Sequence, residues 1–301
     1  MKTCLFIPYF GKLPLWFDFF LKSCENNKDY DFYIYTDDTE ELYTPDNVII
    51  KRTSLKSYSS YLLCNLGLEE YTLSYSKLCD FRPFLYYIHN DIVKNYDYWG
   101  YCDLDLVFGD LSKFFAKHLE NKVASISTHA DRFSGHFSLF SVDSYDSRLS
   151  PFKIKNWKEL LIDNKHLAID EEHFAFCNIN LYRVLGNRIG RRLLKTSLSR
   201  TYGEIFYGKN MVFEELYTTP LSSIRWWDGS SAESHPTEWE WCNGKVFAKN
   251  DNFEVPYLHF MNFKKSGWNL VPPLWDKKTV YEFNKKSNNF LINGNGIFSL
   301  T

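Results

Sequence analysis

Two aspartates, Asp103 and Asp105, stand one residue apart in the apolar run YWGYCDLDLVFGDL, residues 98–111. Alternate side chains of a β-strand point to the same side, so both carboxylates would face one way. Such a pair is costly to desolvate unless a cation joins the two groups. Mg²⁺ and Mn²⁺ take oxygen ligands of this kind and could neutralise a departing diphosphate. A structural alternative stays open, in which one aspartate caps a turn and the other faces water.

The segment before this pair, SKLCDFRPFLYYIHN at residues 76–90, has the pattern of a helix. Four apolar residues recur at the spacing of a buried helical stripe: Phe81, Phe84, Leu85 and Ile88. A helix tolerates proline in its first turn, so Pro83 makes Asp80 the natural N-cap.

Apolar strand patterns alternate with helical patterns near the N-terminus. Strands are predicted at Cys4–Tyr9, Asp31–Thr36 and Asn47–Ile50, and helices at Leu15–Cys24 and Ser57–Leu66. This alternation predicts a doubly wound α/β sheet, in which ligands bind beyond the carboxyl ends of the strands. The ligand side would then include Tyr9, Phe10, Thr36 and Asp37. No G-x-G-x-x-G or P-loop follows the first strand, which argues against nicotinamide-dependent hydride transfer and Walker-type phosphoryl transfer.

The rest of the chain predicts further elements of the same α/β class. Strand patterns cover Val123–Ser127 and Phe137–Val142, a helical pattern covers Trp157–Ile162, and Glu238–Ala248 predicts a hairpin turning at Asn243–Gly244. We expect one domain over residues 1–301: a Rossmann-type mixed sheet flanked by helices, with a decorated C-terminal half. Trp226, Trp227, Trp239 and Trp241 would pack in the core or stack on sugar faces.

Composition and charge exclude several classes of function. The formal net charge is −2 and no long basic block occurs, which argues against nucleic acid as a partner. The seven cysteines are scattered and lack paired C-x-x-C spacing, as expected of free thiols in a reducing compartment. The N-terminal apolar stretch is too short for a signal peptide, and no apolar run is long enough to span a bilayer. We therefore expect a cytoplasmic protein.

The segments SKLCDFR and YWGYCDLDLVFGDL, in this order, resemble the donor site of metal-dependent nucleotide-sugar glycosyltransferases of the GT-A fold. More closely, the chain from IPYFG near its start to YLHF near residue 260 resembles an uncharacterised bacterial family. That family is associated with surface-polysaccharide genes and regarded as glycosyltransferases. The resemblance implies a GT-A-like domain with a nucleotide-sugar donor half at residues 1–112. An acceptor half with C-terminal elaboration would follow at residues 113–301.

The resemblance also implies roles for matching residues on the donor side. Asp105 would be the main ligand of Mn²⁺ or Mg²⁺, Asp103 would share the metal or contact the donor ribose, and His259 would be a third ligand. The diphosphate and donor sugar would be bound by five residues: Lys77, Asp80, Arg82, Lys264 and Lys265. The nucleoside, expected to be uridine, would lie against Tyr9, Phe10, Thr36 and Asp37. This chain departs from the pattern in two places: one residue separates Asp80 from Arg82, and Asn262 replaces a glycine after His259.

On the acceptor side, Asp170 and Glu171 lie in the segment HLAIDEEHF, residues 166–174. Acidic residues at a helix start stabilise the helix dipole, which is the structural explanation. The functional one is catalytic: a carboxylate takes the proton of the acceptor hydroxyl or orients the acceptor. The segment SGHFSLF, residues 134–140, would line the cleft, where Gly135 would permit close approach of a sugar and His136 would touch the acceptor. The basic run 187–200 is either a solvated helix face or a surface that attracts anionic lipid headgroups.

These observations predict a metal-dependent glycosyltransferase that moves a sugar, expected to be UDP-linked, to an acceptor in surface-glycan synthesis. The acceptor would be a saccharide or a lipid-linked saccharide, with peripheral contact at the inner face of the membrane. One alternative is a sugar-1-phosphate nucleotidyltransferase, which would normally carry a glycine-rich basic loop after strand one. The other is a non-catalytic glycan-binding module.

Overall fold

The computed structural model describes residues 1–40, 43–129, 133–174, 210–213, 236, 238–249, 253–260 and 281–300. Several residues singled out above lie outside these ranges: Lys264, Lys265, Trp226, Trp227 and the basic run 187–200. Within the described ranges, no helix is long and apolar enough to cross a membrane.

Fifteen strands are found in the described chain. In order they are β1 Thr3–Pro8, β2 Tyr30–Thr36, β3 Val48–Arg52, β4 Tyr98–Cys102, β5 Leu106–Phe108, β6 Ser125–Ser127, β7 Phe137–Ser141, β8 Met211–Phe213, β9 Glu238–Cys242, β10 Lys245–Ala248, β11 Phe253–Val255, β12 Tyr257–His259, β13 Tyr281–Glu282, β14 Asn289–Asn293 and β15 Gly296–Ser299.

Seven α-helices, several of them single turns, lie in the same ranges. They are α1 Phe17–Cys24, α2 Leu55–Asn65, α3 Leu85–Ile88, α4 Asn90–Val93, α5 Leu111–Glu120, α6 Val142–Leu149 and α7 Trp157–Ile162. Helix α5 was not predicted from the sequence. Asp110 starts it as an N-cap, because its carboxylate accepts a 2.9 Å hydrogen bond from the backbone N–H of Lys113.

The central sheet has seven strands in the order β3-β2-β1-β4-β7-β6-β8. Strands β1 to β4 are mutually parallel, whereas β7 runs antiparallel to both β4 and β6. Apolar residues pack on both faces of this sheet in two clusters. The predicted mixed α/β sheet flanked by helices is therefore confirmed. The carboxyl ends of β1, β2 and β4 meet at one edge, where the chain continues into residues 9, 37 and 103.

A second sheet of six strands has the order β11-β10-β9-β14-β15-β13. The predicted hairpin is confirmed in β9 and β10, with positive φ at both Asn243 and Gly244. Trp239 and Trp241 are fully buried in the core of this sheet, so core packing is the correct interpretation for these two residues. Trp241 also donates a 2.9 Å hydrogen bond from Nε1 to the carbonyl of Phe108 in β5.

The segment predicted as one helix over residues 76–90 is divided into shorter pieces. Ser76–Phe84 forms a 3₁₀ helix, and α3 begins just after it. Pro83 lies next to this junction, where the hydrogen-bonding pattern changes. The four apolar residues of the predicted stripe are all buried, as expected. The prediction of Asp80 as an N-cap is wrong, because Asp80 lies inside the 3₁₀ helix.

Candidate functional site

The D-x-D pair lies where the chain leaves the central sheet. Strand β4 ends at Cys102 and β5 begins at Leu106, so Asp103 and Asp105 occupy a bend instead of one continuous strand. The backbone N–H of Asp103 donates a 3.0 Å bond to the carbonyl of His136, which fixes the bend against the start of β7. Leu104 between them is buried. The sequence predicted the end of the strand correctly but not the change of sheet.

His259 is brought to this bend by strand pairing. Strand β12 runs antiparallel to β5, with His259 opposite Leu106, and the N–H of Phe260 donates to the carbonyl of Asp105 at 3.1 Å. The imidazole Nε2 of His259 lies 3.4 Å from Oδ1 of Asp105. The late histidine therefore reaches the D-x-D pair although about half of the chain separates them in sequence.

Asp103, Asp105 and His259 have the arrangement of a metal-binding group. One ligand atom from each lies within 4.8 Å of the others. Ligand atoms around an octahedral ion such as Mg²⁺ lie roughly 3 to 4 Å apart, so small side-chain movements would close the trio on an ion. Side-chain exposure is 34% for Asp103, 11% for Asp105 and 5% for His259. Access to this group is therefore from the Asp103 side.

Arg82 joins the D-x-D pair to the acidic segment. Its guanidinium forms an ion pair with Asp103 through Nη2, and Nη1 donates a 2.9 Å hydrogen bond to Oδ2 of Asp170. Its charge also lies 5.5 Å from the centre of the Tyr101 ring. Arg82 thus holds one carboxylate of the metal-binding group and one carboxylate of the predicted catalytic pair.

Asp170 and Glu171 lie in the single π-helical turn Ile169–His173. Asp170 is only 2% exposed, and burial raises its pKa from 3.8 to about 6 in spite of the opposing charge of Arg82. Glu171 is more exposed and accepts a 3.1 Å hydrogen bond at Oε1 from the backbone N–H of Gly135. The two predicted catalytic carboxylates are therefore adjacent to Arg82 and to the Gly135 backbone.

Gly135 is packed against this charged cluster. A Cβ atom at residue 135 would lie 2.6 Å from Oε1 of Glu171, 3.0 Å from Nη1 of Arg82 and 3.2 Å from Oδ2 of Asp170. These distances leave no room for a side chain. The absence of a Cβ therefore lets the backbone meet the charged side chains directly.

His136, the other residue predicted to touch the acceptor, is buried with its two ring nitrogens engaged. Its Nδ1 lies 2.8 Å from Oγ of Ser134, and its Nε2 lies 2.8 Å from the hydroxyl of Tyr257. Its ring stacks on His259, with centroids 4.3 Å apart and planes 23° from parallel. Burial, with the neighbouring His259 and His129, holds the pKa of His136 well below its usual range. His136 therefore lies beneath the metal-binding group, away from solvent.

Lys77 and Asp80 form an enclosed ion pair. Both side chains are 0% exposed, and Nζ of Lys77 lies 2.9 Å from Oδ2 of Asp80. Lys77 also donates to the carbonyls of Leu160 and Lys165, and Asp80 accepts from the N–H groups of Leu167 and Ile169. These contacts anchor the loop that leads to Asp170. We assign the pair this structural role in place of contact with the donor.

The four residues predicted to hold the nucleoside divide into two kinds. Phe10 and Thr36 are buried, and Phe10 packs on Tyr58 with ring centroids 5.4 Å apart. Tyr9 is half-buried, and burial, followed by the nearby charge of Asp105, raises its pKa. Exposed Asp37 accepts a 2.6 Å hydrogen bond from the N–H of Gly11 and so ties together the loops after β1 and β2. Tyr9 and Asp37 are thus the two that reach the surface of this edge.

The sequence matches a known family over almost its whole length: residues 5–300 match the family of unknown function DUF6625. The chain belongs to this family. The comparison with curated proteins gives no match.

Two solved structures are similar to this chain. The apo form of mouse xyloside xylosyltransferase 1 is 11% identical, with a TM-score of 0.43 over 90% of this chain and 100% of that one. The glycosyltransferase GlyE of Streptococcus pneumoniae TIGR4 is 15% identical, with a TM-score of 0.33 over 69% of this chain and 50% of that one.

Sequence reasoning missed Tyr257, which lies beside His136, and included Ser134 only as the start of the segment expected to line the cleft. Both contact His136, and Tyr257 does so from β12, two residues before His259. Because alternate strand residues share a face, the spacing of Tyr257 and His259 was a usable signal.

Proposed function

We propose that this chain is a glycosyltransferase that uses a divalent metal, Mn²⁺ or Mg²⁺, and a nucleotide diphosphate sugar, with UDP as the expected nucleotide. One observation carries the proposal. Asp103, Asp105 and His259 converge at the carboxyl-end edge of the sheet, directly beside an arginine and a second carboxylate pair. Ligands of α/β sheets bind at this edge. The resemblance of the D-x-D region to GT-A donor sites supports the same conclusion.

On the donor side, Asp103, Asp105 and His259 would hold the metal, which when bound supplies positive charge to stabilise the leaving diphosphate. Arg82 is the cationic side chain next to this group. Its planar guanidinium could donate more than one hydrogen bond to phosphate or sugar oxygens. Tyr9 and Asp37 would contact the nucleoside. Lys264 and Lys265 remain candidates for the diphosphate, on the resemblance alone.

On the acceptor side, we assign different roles to the two adjacent carboxylates. Glu171, the more exposed, would accept a hydrogen bond from the acceptor hydroxyl and take its proton if transfer inverts the anomeric centre. Asp170 is buried against Arg82 and would hold that guanidinium in place. A saccharide or lipid-linked saccharide would be the acceptor, and surface-glycan synthesis the process. A cytoplasmic location, with peripheral contact at the inner face of the membrane, completes the proposal.

The test is a donor screen with matched variants. Purified protein is incubated with Mn²⁺ and a panel of UDP-, GDP- and dTDP-sugars, and donor hydrolysis and thermal unfolding are measured. We expect one donor class to raise the unfolding temperature and to be hydrolysed slowly in the presence of Mn²⁺. Asp105→Asn should abolish both effects. Asp143→Asn is the control, because this exposed carboxylate lies at the start of α6, at the opposite end of the central sheet.

Two outcomes would contradict the proposal. A wild-type protein that responds to no nucleotide in either assay would not be a nucleotide-sugar transferase. An Asp105→Asn variant with unchanged turnover would show that the metal-binding group has no part in the reaction. A glycan-binding module would instead keep its affinity for glycans in this variant.

A further inference from the structure

His136 stands between the metal-binding group and the protein core. His136 immediately precedes β7, and its side chain is buried. Its ring stacks on the ring of His259, with centroids 4.3 Å apart. The stacked partner is the least exposed of the three prospective ligands. The orientation of His259 therefore depends on the surface that His136 presents.

The orientation of His136 is fixed from two sides. Ser134 contacts Nδ1 from the residues before β7, and Tyr257 contacts Nε2 from β12, both at 2.8 Å. Thr128, at the end of β6, lies 3.3 Å from the same Nε2. Both ring nitrogens are thus paired with hydroxyl groups, each of which can donate or accept a hydrogen bond. The ring cannot rotate without breaking these contacts.

Tyr257 connects His136 to the strand that carries His259. Tyr257 and His259 are two residues apart in β12 and share a face of it. The hydroxyl of one holds His136, and the ring of the other is covered by His136. His136 therefore contacts two side chains of β12, one of which is the prospective ligand His259.

We propose that His136 is a positioning residue that holds the His259 imidazole in the orientation required to bind a divalent cation together with Asp103 and Asp105. The proposal rests on the metal site of the proposed function. It replaces contact with the acceptor as the role of His136. Groups that hydrogen-bond to a metal ligand fix its orientation, and their loss typically weakens metal binding about 10- to 100-fold; His136 acts on His259 by stacking, so we expect the lower end of this range.

The alternative is that His136 only packs the core. A second buried histidine, His89, allows the two roles to be compared. His89 is likewise buried, stacks on Phe6 at 4.6 Å and lies 3.0 Å from the hydroxyl of Tyr58 through Nε2. It has the same kind of histidine–tyrosine contact but lies in a separate aromatic cluster. A change at His89 or Tyr58 therefore reproduces the packing loss without the neighbouring ligand.

The experiment measures binding of Mn²⁺ alone to the full chain by electron paramagnetic resonance. Variants are His136→Phe, which keeps a ring but loses both hydrogen bonds, and Tyr257→Phe, which removes one hydroxyl. His89→Phe and Tyr58→Phe are the controls. We expect the Mn²⁺ dissociation constant to rise about tenfold in His136→Phe and severalfold in Tyr257→Phe. The controls should bind Mn²⁺ as the wild type does, whatever their loss of stability.

A second readout separates positioning from general damage. Imidazole bound to Mn²⁺ gives a nitrogen hyperfine coupling in pulsed spectra, which reports on His259 directly. This coupling should weaken in His136→Phe and Tyr257→Phe and persist in the controls.

The possible failures are distinguishable. If the wild type binds Mn²⁺ and Tyr257→Phe and His136→Phe bind it equally well with the same nitrogen coupling, the positioning role is refuted and the metal site stands. If the wild type binds no Mn²⁺, the metal site itself is refuted and the positioning role with it. Tyr257→Phe keeps its ring, so it carries the test if His136→Phe does not fold.

Discussion

The close packing of Gly135 yields a prediction that needs no assumption about function. In Gly135→Ala the new methyl carbon would lie 2.6 Å from Oε1 of Glu171, closer than such atoms approach in proteins. Glu171 is the flexible partner and must move. When it moves, the 3.1 Å hydrogen bond from the Gly135 N–H to its carboxylate is lost. Arg82 and Asp170 stay in tight contact with the methyl group because they hold each other at 2.9 Å.

The expected cost follows from these contacts. A hydrogen bond to a charged group contributes about 1.5 to 3 kcal/mol when it is buried. It contributes less where water can replace it, as at half-buried Glu171. Overpacking against fixed neighbours costs about 1 to 3 kcal/mol. We therefore expect Gly135→Ala to lower the free energy of unfolding by about 2 kcal/mol. Most of this loss should disappear in a Glu171→Ala background, where the closest obstacle and the bond are both absent.

The assay is urea unfolding of the wild type, the two single variants and the double variant. The double-mutant cycle should give a coupling of at least about 1 kcal/mol. Gly67→Ala is the control, because residue 67 has a φ of +63° and open space around the position of a Cβ. It should cost about 1 kcal/mol from backbone strain and show no coupling to Glu171. Additivity of Gly135→Ala and Glu171→Ala within about 0.5 kcal/mol would refute the described contact.

Three further predictions concern the charged groups. Lys77→Met leaves the Asp80 carboxylate enclosed without its cation, and urea unfolding should show a loss of about 3 to 5 kcal/mol; the exposed Lys94→Met is the control and should change little. Burial raises the pKa of Asp170 from 3.8 to about 6, so the folded state holds this proton more tightly than the unfolded state does. Unfolding free energy should therefore fall by about 2 kcal/mol as pH rises from about 4 to about 6, and Asp170→Asn should remove that part of the slope. Asp105→Asn should weaken Mn²⁺ binding by at least about tenfold in a titration, whereas Asp143→Asn should not.

Each of these has a contrary outcome. Equal stability losses in Lys77→Met and Lys94→Met would contradict the enclosed ion pair. Parallel pH curves for wild type and Asp170→Asn would mean that Asp170 titrates as an ordinary surface acid. Equal Mn²⁺ affinities of the two asparagine variants would contradict the assignment of Asp105 as a ligand.

The strands were largely predictable because buried parallel strands appear as apolar runs. Cys4–Tyr9 and Asp31–Thr36 agree with β1 and β2 within a residue. Strand pairing was not predictable: nothing local to Phe137–Ser141 says that it runs antiparallel to β4. Pairing is fixed by contacts between distant segments, which sequence periodicity does not record.

The convergence of Asp103, Asp105 and His259 was predictable from residue type and strand ends, whereas their roles stay predictions. The site was not predictable where the fold buries charged side chains whose sequence pattern suggests an exposed position. Lys77 and Asp80 have the three-residue spacing of an ordinary surface pair, yet the loop before Asp170 covers them completely. His136 was likewise predicted to touch the acceptor, because its local sequence does not reveal that Thr128 and Tyr257 enclose it from other strands.

The pairing of β5 with β12 bears on when the protein becomes competent during synthesis. A nascent chain that has emerged only as far as β11 has both aspartates of the bend but lacks their imidazole neighbour. Ribosomes release the N-terminal segments first, so the trio is completed only after β12 has docked on β5. An ion bound by side chains next to both strands would bind only the docked form. By mass action it would stabilise the pairing of β12 with β5. Products that end before β12 therefore lack His259, and an ion held by all three side chains would report that β12 has docked on β5.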